Sequence, residues 1–467
     1  MPTMCKKDTQ VQFEFQQACS RRVVADFKGG QITSDGGALL LREVARHTNI
    51  LADVADCFID RRRSDLIRHS VQELVAQRVL GIACGYEDLN NHDQLRGEPL
   101  WRLLAGKANP AQEPAAGKST LNRLEVGVAK QAGVAPGRYH KIGVDEQAFS
   151  ELFTRWYIAA HQEDPPGQII LDLDATDDPL HGRQEGRFFH GYYYHYCYLP
   201  LYVFAGDHLV WAEPRPPNID PAKGSRKAVA QMVSQLREAW PTVKIVLRAD
   251  SAFAREELMS WCEANGVDYV VGLAKNQRLQ QKITPQAASA RRLHQQTGQP
   301  ERVFAEFWYQ TRDSWSRPRR VIAKAEHLAK GANPRFIVTS LHPAQIDAQM
   351  LYEQVYCARG EAENRIKEQQ LYLFADRTSC SAMAANQLRL WFSAVAYWLL
   401  CELRRVGLKA TEWARAQCHT IRNNLLKIGG LVRVSVRRVR VALASGYPWK
   451  STFRQIAGNI RRAWEPS

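Results

Sequence analysis

Residues 169–174 read IILDLD, are followed by ATDD at 175–178, and decide the fold. Successive side chains of a strand point to opposite faces, so Asp172 and Asp174 share one face while Leu171 and Leu173 share the other. Two carboxylates in an apolar strand are costly unless a partner neutralises them. The stretch predicts a central strand with a functional carboxylate at its end, or an Asp that only caps the following turn.

Short apolar runs and amphipathic segments alternate after this strand. They predict an antiparallel pair at 196–205 and 209–212, then a helix at 228–240, a strand at 243–249, a helix at 254–265 and a strand at 267–273. Three strands followed by helix, strand, helix and strand is the order of a three-layer α/β core. The predicted fold class is therefore α/β, with a mixed sheet flanked by helices.

Five regions are predicted along the chain. They are a mainly helical N-terminal region (1–165), a first part of the core (166–274), an insertion that is β-rich in its second half (275–345), a second part of the core (346–410) and a basic C-terminal region (411–467). A strand-like segment at 11–27 precedes the helices, and Ser34 or Asp35 is predicted to cap the helix that begins near Ala38. The insertion should hold strands at 303–310, 320–326 and 335–341.

The charge balance points to a polyanionic partner. The 467 residues carry a formal net charge of +15, and the last 67 residues hold 14 Lys or Arg against three acidic residues. Residues 431–441 alternate Val with Arg or Ser, which predicts a strand whose cationic face binds DNA phosphates through Arg433, Arg437, Arg438 and Arg440. A merely solubilising surface is the alternative.

The cysteines and the apolar segments exclude other classes of protein. The ten cysteines include no C-x-x-C pair and no zinc spacing, so we expect free thiols in a reducing cytoplasm. No segment has the length and apolarity of a membrane span, and Met1 is not followed by a signal-peptide pattern. We expect no membrane partner.

Two further segments present carboxylates. Asp250 follows the apolar run 243–249, at the carboxyl end of a predicted parallel strand, where α/β sheets place their sites. Glu363 lies in a predicted helix in which Tyr356, Arg359 and Lys367 share its face. Taken alone, Asp250 could cap a helix, and Glu363 could form a solvated ion pair with Lys367.

An Asp, Asp, Glu set suits phosphoryl transfer assisted by metal ions. Mg²⁺ prefers carboxylate, phosphate and water oxygens. Two such ions can activate the attacking oxygen and stabilise the leaving one. Three carboxylates and one phosphate balance the charge of two divalent ions, so neither His nor Cys is required.

These residues resemble the DDE transposases of bacterial insertion sequences. Tyr356, Arg359 and Glu363 match the Y-x2-R-x3-E signature of one group of cut-and-paste transposases. More narrowly, LDLDATDDPLHG at 171–182, RADSAF at 248–253 and TSDGGALLLREV at 33–44 resemble insertion-sequence family 1380. The similarity spans essentially the whole chain.

The resemblance implies an RNase H-like catalytic core interrupted by the insertion, and a bacterial, nucleoid-associated protein. It implies that Asp174, Asp250 and Glu363 bind two Mg²⁺ ions, with Mn²⁺ able to substitute, and that Tyr356 and Arg359 contact the DNA backbone. The family Lys seven residues after the Glu is replaced by Gln370, which makes Lys367 the substitute candidate, and Asp172 and Asp177 are the alternatives for the first acid. Trp308 or Trp315 of the insertion would stack on a displaced base, although a Trp in a β-segment is more often part of a core.

The activity implied is that of a transposase. It would bind the terminal inverted repeats of its element as a homodimer on double-stranded DNA, cleave at the ends and join the 3′-hydroxyls to target DNA. Two alternatives remain, a nuclease on the same fold without strand transfer, and a DNA-binding derivative with an inactive core.

Overall fold

A computed structural model describes residues 12–18, 20–127 and 140–464. Within them the protein is a mixed α/β structure built around a nine-stranded mixed sheet. The strands are β1 Phe13–Ala18, β2 Arg21–Ala25, β3 Ile32–Thr33, β4 Phe58–Asp60, β5 Ile142–Val144, β6 Gln168–Ala175, β7 Asp178–Pro179, β8 Phe188–His190, β9 His195–Tyr198, β10 Leu201–Ala205, β11 His208–Glu213, β12 Lys244–Ala249, β13 Asp268–Leu273, β14 Glu301–Tyr309, β15 Arg319–Leu328, β16 Gly331–Ala332, β17 Arg335–Thr339, β18 Gly430–Val434 and β19 Val439–Leu443.

Helices cover both faces of the sheet and form most of the N-terminal region. They are α1 Leu39–Thr48, α2 Ile50–Asp56, α3 Val71–Ala83, α4 Asn91–Leu95, α5 Pro99–Leu104, α6 Lys118–Val126, α7 Glu146–Ala160, α8 Ser225–Ala239, α9 Glu256–Ala264, α10 Gln277–Lys282, α11 Thr284–Thr297, α12 Ala348–Met350, α13 Gly360–Leu373, α14 Met383–Glu402, α15 Cys418–Ile421 and α16 Lys450–Ala463.

The sheet has the order β11-β10-β6-β12-β13-β17-β15-β14, with β16 paired to β15. Strands β6, β12 and β13 run parallel, because helices connect them, while β10 and β11 are antiparallel neighbours on one side. The strands predicted for the insertion continue the same sheet, since β17 pairs with β13. The insertion therefore extends the sheet at that side.

The alternation predicted for β6 is present. Leu171 and Leu173 are fully buried in the larger hydrophobic core, which includes residues from Ala38 to Ile460. Ile170 packs on the opposite side in a smaller core with Val246 and Val270. That side is covered by the helical segment 348–359, whose Leu351 and Tyr352 belong to the smaller core.

Asp35 does not cap a helix, contrary to the prediction. Helix α1 has Ala38 at its N-cap and no side-chain cap. The fully buried Asp35 instead accepts hydrogen bonds from Tyr86 Oη (2.8 Å), Trp101 Nε1 (2.9 Å) and Lys427 Nζ (2.7 Å). A tertiary partner at position 427 has replaced the local one, which sequence spacing could not indicate.

Gly37 permits this contact between the two ends of the chain. A Cβ atom at Gly37 would lie 1.7 Å from the backbone oxygen of Leu425, a distance that no side chain can occupy. Only glycine lets the segment before α1 approach the C-terminal region this closely.

The cationic segment 431–441 is a hairpin and not the single strand predicted. Strands β18 and β19 pair antiparallel around a turn in which the amide of Ser435 donates to the backbone oxygen of Arg438. Strand β18 also pairs with β3, which directly precedes the segment that contains Asp35 and Gly37. The segment is extended as the alternation of Val and Arg predicted, but the alternation covers two strands and the turn between them.

Within the described residues, no helix is long and apolar enough to cross a membrane. The cysteines at 57, 84, 197, 262, 357, 380, 401 and 418 are free thiols. Cys5 and Cys19 lie outside the described residues.

Candidate active site

Parallel strands bring Asp174 and Asp250 to the same edge of the sheet. Asp174 is one residue from the end of β6, and Asp250 directly follows β12. Leu173 is the register partner of Ala249, so the two aspartates occupy corresponding positions on neighbouring strands. Asp250 also accepts a hydrogen bond from the amide of Ala252 (2.9 Å), which holds its carboxylate at the start of the following turn.

Arg359 links the third predicted acid to the first. Its Nη2 lies 2.5 Å from Oε1 of Glu363 on α13, and its Nη1 lies 3.6 Å from Oδ1 of Asp174. The Glu363–Lys367 ion pair that the sequence left open does not form, and Lys367 is exposed. Glu363 thus faces the carboxyl ends of β6 and β12.

The electrostatics of the site reflect crowded negative charge. Burial, together with the charges of Asp250 and Glu363, raises the pKa of Asp174 to about 7 in spite of the nearby Arg359 guanidinium. Burial also lowers the pKa of Arg359, but the carboxylates of Asp174 and Glu363 outweigh it and raise that pKa overall. One guanidinium serves three carboxylates, so the site has capacity for further positive charge.

The donor set fits divalent ions in its chemistry. Three carboxylates are hard oxygen ligands of the kind that Mg²⁺ and Mn²⁺ bind. In the part of the chain that is described, no three His, Cys, Asp or Glu side chains are arranged as a chelating group. Arg359 is the counter-charge of Asp174 and Glu363 at the site.

Tyr356 depends on a glycine that the sequence did not single out. A Cβ atom at Gly272 of β13 would lie 2.7 Å from Oη of Tyr356 and 2.8 Å from the amide nitrogen of Ser251. Tyr356 ends a π-helical segment, Leu351–Tyr356, which precedes α13. Gly272 therefore allows the phenol to lie against the turn that carries Asp250.

A cationic cleft continues from Tyr356 along the sheet edge. It has a volume of about 610 Å³, and Ser251, Tyr352 and Tyr356 line it together with Lys275, Lys324 and Arg335. Lys275 and Arg335 are exposed, and neither was predicted as a functional residue. Their spacing in sequence gave no sign that they meet, because β17 reaches β13 only through the fold.

The alternatives to Asp174 are engaged elsewhere. Asp172 is buried and binds Arg248, with Oδ1 2.5 Å from Nε and Oδ2 2.7 Å from Nη2. Asp177 lies 2.7 Å from Nε2 of His195. Of the three aspartates at positions 172, 174 and 177, only Asp174 has Arg359 as its ion-pair partner.

Gln370, at the position of the family Lys, forms its hydrogen bonds with residues 177 and 178 and not with Asp174, Asp250 or Glu363. Its amide nitrogen donates to the backbone oxygen of Asp177 (3.1 Å) and to Oδ1 of Asp178 (2.8 Å). It thus fastens α13 to the turn after β6. The exposed side chain of Lys367 lies one turn earlier on the helix.

The two tryptophans of the insertion differ in accessibility. Trp315 is 6% exposed and packs against Tyr309 and Arg319, so it takes the core role that was its alternative, and its ring has no free face for a base. Trp308 on the edge strand β14 is 58% exposed. It shares a face of β14 with Phe304, which contacts Tyr352 of the cationic cleft.

The predicted arginines of the C-terminal hairpin are all exposed. Arg433 lies directly opposite Arg440 in the β18–β19 register. Like charges in that position repel, and an anion bound between them would relieve the repulsion. They form a cationic surface away from the core.

A second cationic surface lies in the N-terminal region and is called the N-terminal groove. Two adjoining cavities of about 210 and 350 Å³ share Arg62, Leu66, Thr120 and Arg123. The basic residues that line the pair are Arg62, Arg63, Arg68, Arg96, Arg123 and Lys141. Arg62 and Arg63 bind Asp60 and Asp65, whereas Arg68 and Arg96 form no salt bridge with any described residue.

A family profile described as the transposase DDE domain, group 1, matches residues 15–465. The chain belongs to this family of DDE-domain transposases. Members of the family generally use divalent metal ions. No curated protein was found to match the chain.

A cryo-EM structure of the piggyBac transposase synaptic complex with hairpin DNA is similar over 93% of this chain and 83% of that chain. The TM-score is 0.38 and the sequence identity is 11%.

Proposed function

We propose that the protein is the transposase of an insertion sequence of family 1380, and that Asp174, Asp250 and Glu363 are its catalytic acids. It binds the terminal inverted repeats, hydrolyses the phosphodiester at each end and joins the 3′-hydroxyls to target DNA. The observation that carries the proposal is that Arg359 forms ion pairs with Asp174 and Glu363, residues distant in sequence, at the edge of the sheet where Asp250 follows the neighbouring strand.

The strand order supports an RNase H-like core. The core strands in chain order are β6, β10, β11, β12 and β13. Strands β10 and β11 lie antiparallel on one side of β6, and β12 and β13 lie parallel to β6 on its other side. The catalytic acids then lie on the first strand, after the fourth strand and on the helix that follows the insertion. This is the arrangement expected from the resemblance.

Bound Mg²⁺ or Mn²⁺ ions, two per site, would supply Lewis-acid stabilisation of the attacking and leaving oxygens. Asp174, Asp250 and Glu363 would hold them. Arg359 occupies that charge environment without metal, so an ion binding to Asp174 and Glu363 would release its guanidinium. The released group is then available for a DNA phosphate, with Tyr356 beside it as a hydroxyl donor.

Three cationic surfaces, together with Trp308 and Lys367, would hold the DNA. The cationic cleft with Lys275 and Arg335 is continuous with Tyr356, and the exposed Trp308 on the edge strand β14 would stack on a displaced base. The N-terminal groove suits the terminal repeat, because Arg68 and Arg96 form no salt bridge with any residue that the structure describes. The C-terminal hairpin would bind phosphates through Arg433, Arg437, Arg438 and Arg440, and Lys367 is a further contact. Two ends must be held at once, so the working form would be a homodimer.

The test uses DNA that carries the repeats flanking the coding sequence. Wild-type protein should cut it in Mg²⁺ or Mn²⁺, and Asp250→Asn and Glu363→Gln should each lose at least about a hundred-fold in rate, because a lost metal ligand removes several kcal/mol of transition-state stabilisation. Glu361→Gln is the matched control, since that carboxylate lies in the same turn of α13 but is 71% exposed and faces Arg365. Normal cleavage by the Asp250 or Glu363 variant would show that the acids are wrongly assigned.

An assay of strand transfer distinguishes a transposase from a nuclease on the same fold. Pre-cleaved ends incubated with target plasmid should give joined products, and cleavage without joining would favour a nuclease on this fold. Calorimetry tests the hypothesis of a DNA-binding protein with an inactive core. If wild-type protein with DNA present does not bind Mg²⁺ at millimolar concentration, that hypothesis is supported.

A further inference from the structure

An exposed aromatic hairpin lies beside the carboxylate site. Strands β8 and β9 pair antiparallel, with Phe189 opposite Tyr196 and His190 opposite His195. We call residues 188–198 the aromatic hairpin. The exposed rings, with their exposed fractions, are Phe188 (44%), Phe189 (55%), Tyr192 (80%), Tyr194 (81%) and Tyr196 (43%).

The hairpin is joined to the site through its turn. His195 lies 2.7 Å from Asp177, three residues after Asp174, and Tyr193 stacks near His195 with 6.0 Å between ring centroids. Burial first, and then the charges of Asp177 and Asp174, raise the pKa of Tyr193 to about 12. Tyr193 thus lies near Asp174 and Asp177, while Tyr192 and Tyr194 flank it and face solvent.

The composition of the hairpin suits stacked bases. Residues 181–197 contain no Val, Ile, Leu or Met, so the exposed apolar area consists of ring faces. Aromatic residues and Arg are also enriched in interfaces between protein subunits, so the test includes the oligomeric state. The guanidinium of Arg187 lies 4.3 Å above the ring of Tyr196, which adds positive charge beside the rings. Rings combined with cations are the means by which proteins hold single-stranded nucleic acid.

We propose that the aromatic hairpin binds unpaired bases of single-stranded DNA next to the cleavage site, by stacking on Tyr192 and Tyr194. The inference rests on the proposed function, because it takes the carboxylate site as the place where a DNA end is opened. The hairpin lies next to β6 and β10, on the other side of the acids from Trp308, so it would hold a different nucleotide. Phosphates of the same strand would meet Arg187.

The test measures binding without metal, by fluorescence anisotropy of full-length protein in EDTA. The probes are a fluorescein-labelled oligothymidylate and a labelled blunt duplex. Tyr192→Ala/Tyr194→Ala should weaken oligothymidylate binding by at least about ten-fold, since stacking of one base on an aromatic ring is worth about five-fold or more and two rings are removed. Tyr192→Phe/Tyr194→Phe, which keeps both rings, should stay within about two-fold of wild type, as should duplex binding by either variant.

Three results would overturn the inference. Unchanged oligothymidylate binding by the alanine variant would show that the rings do not contact bases. An equal loss for both probes would assign the hairpin to general DNA binding. A change of oligomeric state in sedimentation, found for the alanine variant alone, would make it an interface between copies of the chain.

The outcome is separable from that of the proposed function. Neither probe needs cleavage, so wild-type protein that binds oligothymidylate through Tyr192 and Tyr194 but cannot cut end DNA would retain the binding site and lose the proposed activity. If wild-type protein cuts end DNA but the alanine variant still binds oligothymidylate normally, the proposed activity would stand and the proposed binding site would be wrong.

Discussion

Arg248 holds Asp172 by two hydrogen bonds, of 2.5 and 2.7 Å, two residues before Asp174 on β6 and before Asp250 after β12. Both side chains are less than a tenth exposed, and Arg248 also donates to the backbone oxygen of Val355. The two aspartates on one face of β6 therefore have different partners. Asp172 ties the strand to its neighbour and to the segment before Tyr356, whereas Asp174 is the proposed catalytic acid.

Asp172→Asn should unfold the protein more readily, because it leaves the buried Arg248 charge without its counter-ion. The expected loss is about 3 to 5 kcal/mol of unfolding free energy, measured by urea denaturation. Asp220→Asn is the control, since its pair with Arg255 is nearly half exposed and should cost less than about 1 kcal/mol. Equal small losses for both variants would contradict the structural role of Asp172.

Asp174→Asn should stabilise the metal-free protein, and more so at high pH. The pKa of Asp174 rises from its ordinary 3.8 to about 7 on folding. The folded state therefore binds the proton more tightly than the unfolded state, and the cost of this group grows from pH 3.8 to about 7 and then stays constant. We expect a gain on the order of 2 to 4 kcal/mol at pH 8 and below about 1 kcal/mol at pH 4, from unfolding curves in EDTA. A gain independent of pH would refute the shifted titration.

Gly272→Ala should impair the site through Tyr356. The added carbon would lie 2.7 Å from the phenol oxygen and 2.8 Å from the amide of Ser251, so both must move, at a cost of about 1 to 3 kcal/mol. The cleavage rate should fall by a larger factor than the loss of unfolding free energy implies, because a shift of Ser251 also moves the adjacent Asp250. The double variant Gly272→Ala/Tyr356→Phe should recover part of the lost stability, since only the contact with Ser251 remains. No recovery would mean that the phenol was not displaced.

Arg433→Thr should weaken DNA binding without destabilising the hairpin. Removing one of two opposed arginines relieves their repulsion in the free protein, while one phosphate contact is lost. The slope of log affinity against log salt concentration should decrease by about one. Arg21→Thr, on the exposed β2 strand, offers a comparison at a site that carries no proposal. An unchanged slope for Arg433→Thr would remove the hairpin from the DNA-binding surface.

The sequence predicted the core strands well because their signals are local. Apolar runs with flanking acids marked β6 and β12, and both lie where they were predicted, within one or two residues. The helical stripe correctly brought Arg359 and Glu363 to one face, since three- and four-residue spacings follow from helix geometry alone. The choice of Asp174, Asp250 and Glu363 as the catalytic acids came from the resemblance to the family, and it remains a proposal.

The features that were missed depend on contacts between distant segments. Gly272 is an ordinary strand residue until the helical segment before α13 places Tyr356 over it. Lys275 and Arg335 become one cleft only when β17 joins β13. The single strand predicted at 196–205 is two strands, because spacing does not reveal that Leu199 and Pro200 separate β9 from β10.

The contact of Asp35 with Lys427, and of Gly37 with Leu425, also bears on how the protein is made. The segment before the first helix finds its partners only after the ribosome has synthesised about four hundred further residues. A polypeptide released early, without positions 425–443, leaves the buried Asp35 carboxylate without its counter-ion Lys427 and leaves Gly37 uncovered. Such fragments should be prone to proteolysis, so that the cell retains mainly finished copies.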